Sequence, residues 1–150
     1  MENIETLFRK YKDDVYRLAL SYTRSTAEAE DVCQTVFLKA MTASVQAGKE
    51  RSWLMQVTAN QCRNLLRSAW WKKTEGMEAG AAGVAAEYSD LFQKVMSLPP
   101  KYRVVIYLRY YEEYTTKEMA QLLHISQTAV TTRVSRGREM LKTMLEEERI

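Results

Sequence analysis

An all-α chain, built as two small helical domains on either side of a flexible linker, is what this sequence predicts. Three observations predict it. Apolar residues recur at three- and four-residue steps, the period of one helix face, through most of the chain. Glycine and proline, which punctuate strand-and-turn folds, number only 5 and 2 among 150 residues. Three of the glycines, Gly76, Gly80 and Gly83, fall in the stretch 72–87 (KKTEGMEAGAAGVAAE), where large apolar residues nearly vanish. The domains on either side, 1–71 and 88–150, then hold about 60 to 70 residues each, near the lower limit for an independent core. Helical architecture suits that size, because its contacts are local.

In the first helix Ile4, Leu7, Phe8, Tyr11, Val15, Leu18 and Tyr22 share a face. Ser25 or Thr26 caps the second helix, and Glu28, Glu30 and Asp31 suit the positive end of its dipole. Its apolar face is Ala29, Val32, Cys33, Val36, Phe37 and Ala40, and the pattern fades near Met41. Residues 42–51 (TASVQAGKER) have no strong period and read as a loop. Ser52 then caps a third helix with the face Leu54, Val57, Cys62, Leu65 and Ala69, completing a three-helix bundle. In the second domain Tyr88, Leu91, Phe92, Val95 and Leu98 share a face before Pro99-Pro100 interrupts it. A proline is well tolerated in the first turn of the helix that follows. The run YRVVIYLRYY looks strand-like in isolation; its place between helices, behind two prolines, predicts a buried helix.

The most informative stretch follows, TTKEMAQLLHISQTAVTTRVSRGREML. Thr115 or Thr116 caps a short helix whose inner face is Met119, Ala120, Leu122 and Leu123. His124 and Ile125 form a turn, and Ser126 caps a further helix with Val130 and Val134 facing inward. This is a helix-turn-helix pattern, which helical hairpins in other proteins mimic. Ala120 is small where the two helices approach. His124 sits where the turn calls for a positive φ, so it reads as a turn residue and not as a catalytic or metal-binding group. The exposed side of the second helix carries Gln127, Thr128, Thr131, Thr132, Ser135 and Arg136, side chains that bond base edges in a major groove. Arg133 and Arg138 flank that side and suit phosphates.

Composition narrows the function classes. Apolar residues at 46% argue against disorder, and no apolar run of about 18 residues implies a membrane span. The charged amphipathic start MENIETLFRKYKDD lacks a signal peptide's apolar stretch, so a cytoplasmic protein is expected. Cys33 and Cys62 fall far apart in helical patterns, as buried reduced core residues would, and with one histidine they make no zinc spacing. The acids Glu28, Glu30 and Asp31 fit a helix start and a docking face better than a metal site. No phosphate loop and no His–Ser or His–Cys arrangement supports an enzyme. The net charge is only +3, but Lys49, Arg51, Arg63, Arg67, Lys72 and Lys73 stand against only Glu50 in 49–73, and Arg133, Arg136, Arg138 and Lys142 against only Glu139 in 131–145. Charge alone does not separate a polyanion footprint from a solvated helix face.

Two stretches together resemble the extracytoplasmic-function sigma factors of the sigma-70 family. AEAEDVCQTVFLKAM with SWLMQVTANQCRNLLR is similar to their second conserved region, and SLPPKYRVVIYLRYYEEYTTKEMAQLLHISQTAVTTRVSRGREML to their fourth. Order, spacing, the glycine-containing linker and the lack of a third region match as well. The resemblance implies a sigma factor, not an enzyme, with a three-helix region-2 domain and a four-helix region-4 domain. It implies that residues 29–41 dock on the clamp helices of the polymerase largest subunit, with Asp31, Gln34 and Lys39 at or near the contact. It implies that residues 42–51 capture a flipped base of the −10 element, and that Asn60, Arg63, Asn64 and Arg67 contact the DNA there. Thr131, Thr132, Ser135 and Arg136 match the positions that read the −35 element.

The partners implied are core RNA polymerase, including the flap of its second subunit, and promoter DNA. An anti-sigma factor is left open as a further partner, and no cofactor is implied. The sequence departs from the family in three places. Thr128-Ala129-Val130 stands for Gly-Thr-Val, Thr131 for a common basic residue, and Gly137 for a frequent alanine, which should cost roughly 1 kcal/mol of helix stability. Trp70-Trp71 does not occupy the place of the aromatic wedge of housekeeping sigma factors and reads as packing, with stacking on single-stranded bases the lesser alternative. A duplex-binding repressor or a protein-only adaptor would share the helix-turn-helix or the helices, but neither has need of the AEDVCQTVF–loop–WLMQVTAN arrangement.

Overall fold

The computed structural model describes residues 3–67 and 89–148. These form seven helices and no strand, and the chain divides into two compact units, Met1–Glu78 and Ala79–Ile150. The stretch 72–87, with Ala69, Trp70, Trp71 and Tyr88, lies outside the described residues.

The first unit contains α1 (Ile4–Thr23), α2 (Thr26–Thr42) and α3 (Glu50–Arg67), each packed on the other two. Asn3 starts α1 by accepting the Thr6 N–H at 2.9 Å, and Arg24 ends it in the left-handed region at φ 55°. Ser25 then caps α2 by accepting the Glu28 N–H at 3.2 Å, so the corner between the helices takes two residues, Arg24 and Ser25. The expected stripe Ala29, Val32, Cys33, Val36, Phe37 and Ala40 is buried throughout. It meets Leu7, Val15 and Leu18 of α1 and Leu54, Met55, Ala59 and Cys62 of α3 in the buried core. Both cysteines are free and buried. Burial pushes the Cys62 thiol far above its ordinary range; burial, then the Asp13 and Glu30 charges, pushes Cys33 up as well. Neither is a thiolate near neutral pH.

Several expectations need correction here. The loop is shorter than 42–51, because α2 runs to Thr42 and α3 begins at Glu50. Ser52 is not the cap. Glu50 accepts the Gly48 N–H at 2.8 Å and the Trp53 N–H reaches the Lys49 carbonyl at 2.9 Å, closing the first turn before Ser52. Gly48 supplies the turn with a φ of 84°. The buried face of α3 includes Met55, Thr58 and Ala59, whereas Val57 and Leu65 are half-buried. Phe8 is 43% exposed and meets Phe37 edge-on at 5.1 Å.

The second unit contains α4 (Asp90–Met96), α5 (Pro100–Tyr110), α6 (Thr116–Leu123) and α7 (Gln127–Glu148). Ser89 caps α4 through the Phe92 N–H at 3.1 Å, and Leu91 is exposed, not part of the core face. Pro100 opens α5, and the strand-like run is helical, with Arg103 to Leu108 all buried. The Arg103 guanidinium, fully buried, donates to the carbonyls of Leu98 at 3.0 Å and Met96 at 3.5 Å. Pro100 has no N–H for the Met96 carbonyl four residues before it, and the arginine serves that carbonyl together with Leu98's. At the far end, Lys94 on α4 joins its neighbour Asp90 to Glu148 of α7, both at 2.5 Å.

The long helix α7 has only two fully buried residues, Val130 and Gly137. A Cβ on Gly137 would stand 2.8 Å from Ile106 Cγ1 and 3.1 Å from its Cδ1. Thus Gly137 is not simply an unfavourable helix residue: it is the point at which α5 crosses α7 too closely for a side chain. Among the described residues no helix is long and apolar enough to cross a membrane, and no acidic, cysteine or histidine cluster is arranged to hold a metal.

Gly137→Ala should therefore destabilise the chain. Overpacking against the buried Ile106 costs roughly 1–3 kcal/mol, and the gain in helix propensity returns about 1 kcal/mol. The expected net loss is about 1 kcal/mol in urea denaturation. A gain in stability would mean that Ile106 yields freely and that the crossing does not require glycine.

Candidate nucleic-acid interface

The helix-turn-helix is fixed at its start and at its turn. Thr115 accepts the Glu118 N–H at 3.1 Å while Glu118 accepts the Thr115 N–H at 2.9 Å, a reciprocal capping box. His124 adopts φ 57°, the left-handed conformation the turn calls for, and the Ile125 N–H bonds the Ala120 carbonyl at 3.2 Å. Ser126 caps α7 by accepting the Ala129 N–H at 3.0 Å. Met119, Leu122, Leu123 and Val130 are buried between the two helices and the rest of the unit.

This arrangement presents one side of α7 to solvent. Gln127, Thr128, Thr131, Thr132, Ser135, Arg136 and Arg138 are exposed, and Arg133 is half-buried. Val130 and Gly137 lie seven residues apart on the inward stripe, so Thr128, Thr132 and Ser135 fall opposite it, with Thr131 and Arg136 on either side. Arg133 and Arg138 fall on different flanks, about 140° apart by helical register. The Thr131 hydroxyl donates to the Gln127 carbonyl at 3.0 Å. Tyr102 on α5 lies beside this helix, its Cβ 3.5 Å from where a side chain on Gly137 would begin. Burial raises the Tyr102 phenol, but the positive side chains of Arg136 and Lys101 nearby carry it below its ordinary value. Glu139, four residues beyond Ser135, is exposed in the same stripe and ends the polar, non-acidic part of the face.

In the first unit Asn60, Arg63, Asn64 and Arg67 fall at i, i+3, i+4 and i+7 of α3, on one face. Asn60, Asn64 and Arg67 are exposed and Arg63 half-buried. The Asn60 Oδ1 accepts from Arg63 and, at 3.1 Å, from Gln56 Nε2, so Gln56 joins this face. Half-buried Trp53 shares the register, seven residues before Asn60. The i−4 and i−7 spacing carries the signal for both, but reading only polar residues downstream of the core pattern misses them.

On α2 the predicted residues separate. Asp31 and Gln34 are exposed on one face, whereas Lys39 turns to α3 and donates to Gln61 Oε1 at 3.0 Å. The face of Asp31 and Gln34 continues instead into Leu38 and Met41, 64% and 60% exposed. With Ile4 and Phe8 of α1, these two residues and Gln34 line an apolar groove of about 470 Å³. The steps 31, 34, 38 and 41 form a second helical stripe opposite the core stripe, a signal present in the sequence. A second groove, about 460 Å³, lies in the other unit between Leu91, Tyr110, Leu141 and Leu145, with Arg138, Lys142 and Glu146 in its lining.

Residues 7–72 match the family description "Sigma-70 region 2", and residues 90–141 match "Sigma-70, region 4". The chain belongs to the extracytoplasmic-function sigma factors of the sigma-70 family. As a sigma factor it directs promoter-specific initiation by RNA polymerase. It is 32% identical to the ECF RNA polymerase sigma factor SigW of Bacillus subtilis strain 168, over 90% of this chain and 84% of that one. It is 28% identical to SigV of the same strain, over 95% and 91%. Its fold is similar to that of the sigma factor RpoE from Bartonella quintana, solved in complex with the anti-sigma factor NepR. That likeness has a TM-score of 0.70 at 21% identity and covers 95% of this chain and 96% of the other. In this sigma factor the helix-turn-helix lies within the region-4 match, and the α2 and α3 faces lie within the region-2 match.

The capping box is expected to hold the recognition element together. Thr115→Ala removes one of its two bonds and should cost about 1 kcal/mol, read by urea denaturation of the full chain. A change below a few tenths of a kcal/mol would mean that packing of Met119 and Leu122 alone holds the start of α6.

Proposed function

We propose that this sigma factor divides its work between two units, with 1–71 docking on core polymerase and opening the −10 element, 88–150 reading the −35 element, and 72–87 linking them. The observation that carries this reading is the opposition of faces in each unit: a buried stripe behind, and in front a polar surface with side chains suited to DNA. Asn60, Arg63, Asn64 and Arg67, with residues 43–49 before α3, meet the −10 DNA. Thr131, Thr132, Ser135 and Arg136 read the −35 bases, with Gln127 and Thr128 at the leading end and Arg133 and Arg138 on the phosphates.

The docking face on α2 centres on Asp31, Gln34, Leu38 and Met41, against the clamp helices of the largest subunit. Lys39 takes no direct part in that contact, since its ammonium is committed to Gln61. The groove of Leu91, Tyr110 and Leu145 suits the flap of the second polymerase subunit, an apolar occupant with a charged rim. The complex of the similar RpoE with an anti-sigma factor supports an inhibitor of the same kind here, competing for polymerase-facing surfaces. The protein works in the cytoplasm as a specificity subunit and not as a catalyst.

Transcription from a promoter library with core polymerase tests the reading. Asp31→Lys and Leu38→Asp should each weaken co-purification with core at least tenfold with helical content unchanged, and Lys39→Ala should leave it within twofold, about 0.4 kcal/mol. Binding unchanged by the first two variants would put the docking face elsewhere. Arg133→Ala should lower activity on all −35 sequences alike and reduce the salt slope by about one unit. The free chain should bind promoter duplex weakly, because its basic faces are short. Tight, specific duplex binding without polymerase would favour a repressor instead.

A further inference from the structure

The outward stripe of α7 changes chemistry along its length. Thr128, Thr132, Ser135 and Glu139 follow at steps of four, three and four residues, opposite the buried line of Val130 and Gly137. All four are exposed. The first three are hydroxyls and the fourth is a carboxylate. It stands inside the basic stretch 131–145, with Arg138 beside it in sequence and Arg136 and Lys142 three residues to either side. Thr143, one turn further on, donates its hydroxyl to the backbone carbonyl of Glu139 at 3.1 Å, which leaves the carboxylate facing solvent. An acid this far along a helix gains nothing from the positive end of the dipole.

We propose that Glu139 is an electrostatic brake on DNA binding by this unit: it repels the phosphates at the edge of the groove and lowers affinity for duplex of any sequence. A helix whose N-terminal end enters the major groove has about 12 Å of groove to cross. Glu139 lies about 18 Å along the axis from Gln127, so it leaves the groove where the sugar-phosphate wall begins. Two like charges about 7 Å apart in water lower a binding constant roughly threefold. Such repulsion does not depend on the base pair, so it limits occupancy without altering preference. It makes the unit depend on polymerase to hold it at a promoter. This inference rests on the reading of α7 as the helix that faces the −35 DNA.

The test has two parts. The free full-length chain is titrated with a fluorescent duplex that lacks promoter elements, at about 50 mM salt, where phosphate contacts dominate. Holoenzyme is assayed by transcription from a library randomised at −35. The variants are Glu139→Gln, Glu139→Lys, Arg136→Ala, the Glu139→Gln/Arg136→Ala pair, and Glu147→Gln, which makes the same charge change at an exposed position further along α7. Thermal unfolding checks each fold. Glu139→Gln should bind the duplex about threefold tighter, and Glu139→Lys about tenfold tighter with a salt slope steeper by about one unit. The −35 preference should not change with Glu139→Gln. No gain from either Glu139 variant, or an equal gain from Glu147→Gln, would overturn the proposal. So would a changed preference at a single base pair, which would make Glu139 a reader of the cytosine amino group. A gain that disappears in the Arg136→Ala background would also overturn it, by showing that the acid acts through that arginine. If Arg136→Ala relaxes one position and the Glu139 variants do nothing, the brake falls and the base-reading role stands. If Arg136→Ala leaves the preference unchanged and Glu139→Gln still gains, the brake stands and the role given to Arg136 falls.

Discussion

The close crossing of α5 over α7 at Gly137 is the constraint on which the second unit depends. A helix of 22 residues with only two fully buried positions has little to hold it. Those two, Val130 and Gly137, lie seven residues apart, so they define a single line along the helix and fix its rotation as well as its place. Rotation is what recognition needs. A turn of α7 by one residue's worth of arc, about 100°, would replace Thr132 and Ser135 at the front by Arg133 and Arg136. Half-buried Val134, Met140, Leu141 and Met144 thicken the contact, but the position without a side chain sets its depth. A strong local preference for alanine in a helix is overridden by a backbone approach that alanine does not fit.

The same unit is braced from behind by a buried charge. Arg103 is fully buried and its guanidinium serves the Leu98 and Met96 carbonyls. Burying an arginine is costly unless its donors are engaged. Here the corner between α4 and α5 creates the demand, since Pro100 has no N–H for the Met96 carbonyl and the Leu98 carbonyl lies between the two helices. The bend the prolines enforce allows α4 to end and α5 to begin within three residues, Ser97, Leu98 and Pro99. That corner places Tyr107 and Tyr111 in a stacked pair, ring centres 5.9 Å apart, with Phe92 edge-on to Tyr111 at 5.4 Å. The aromatic layer and the arginine together make a rigid platform for the helix-turn-helix.

Much of this was legible in the sequence, and the exceptions have common causes. Helix periods gave the core stripes of α1 and α2, and the short polar residues Ser25, Thr115 and Ser126 marked the helix starts, because a cap acts within three residues of itself. His124 was legible for the same reason: a positive φ is a local demand that few residues meet. The start of α3 was not, because Glu50 reaches backward to the Gly48 N–H, and no pattern of serine or threonine announces that. Phe8, Leu91, Leu38 and Met41 escaped because periodicity records that a residue is apolar, not what covers it. Two of them fell on an expected core face, and the other two formed a second stripe that is exposed among the described residues. The settings of Lys39 and Gly137 are tertiary and lie beyond a local reading: one bonds Gln61 across 22 residues of sequence, the other meets Ile106 from another helix. The match to sigma-70 regions 2 and 4 gave the order of parts, but only the packed structure sorted the faces.

Neither of the surfaces proposed to face DNA is built for strength. The α3 face has two arginines among amides, and the α7 face ends at an acid, Glu139, in line with Ser135. Affinity for a duplex scales with the number of phosphates neutralised, and each proposed face offers few cations for that. Hydroxyls and amides discriminate among bases but add little net free energy, because water satisfies them equally well before binding. A protein arranged this way gains occupancy when something else brings it to DNA. Holding both units on one scaffold turns the second contact into an intramolecular event, with an effective concentration set by the connection between them. Weak surfaces then become an advantage: discrimination is expressed as a difference between sites, and non-specific phosphate binding, which would dominate a strongly basic chain, stays low. On the proposed docking, the exposed apolar stripe of α2 and the groove beside α7 would supply the other half of that design, since apolar contacts are much less sensitive to salt than phosphate contacts.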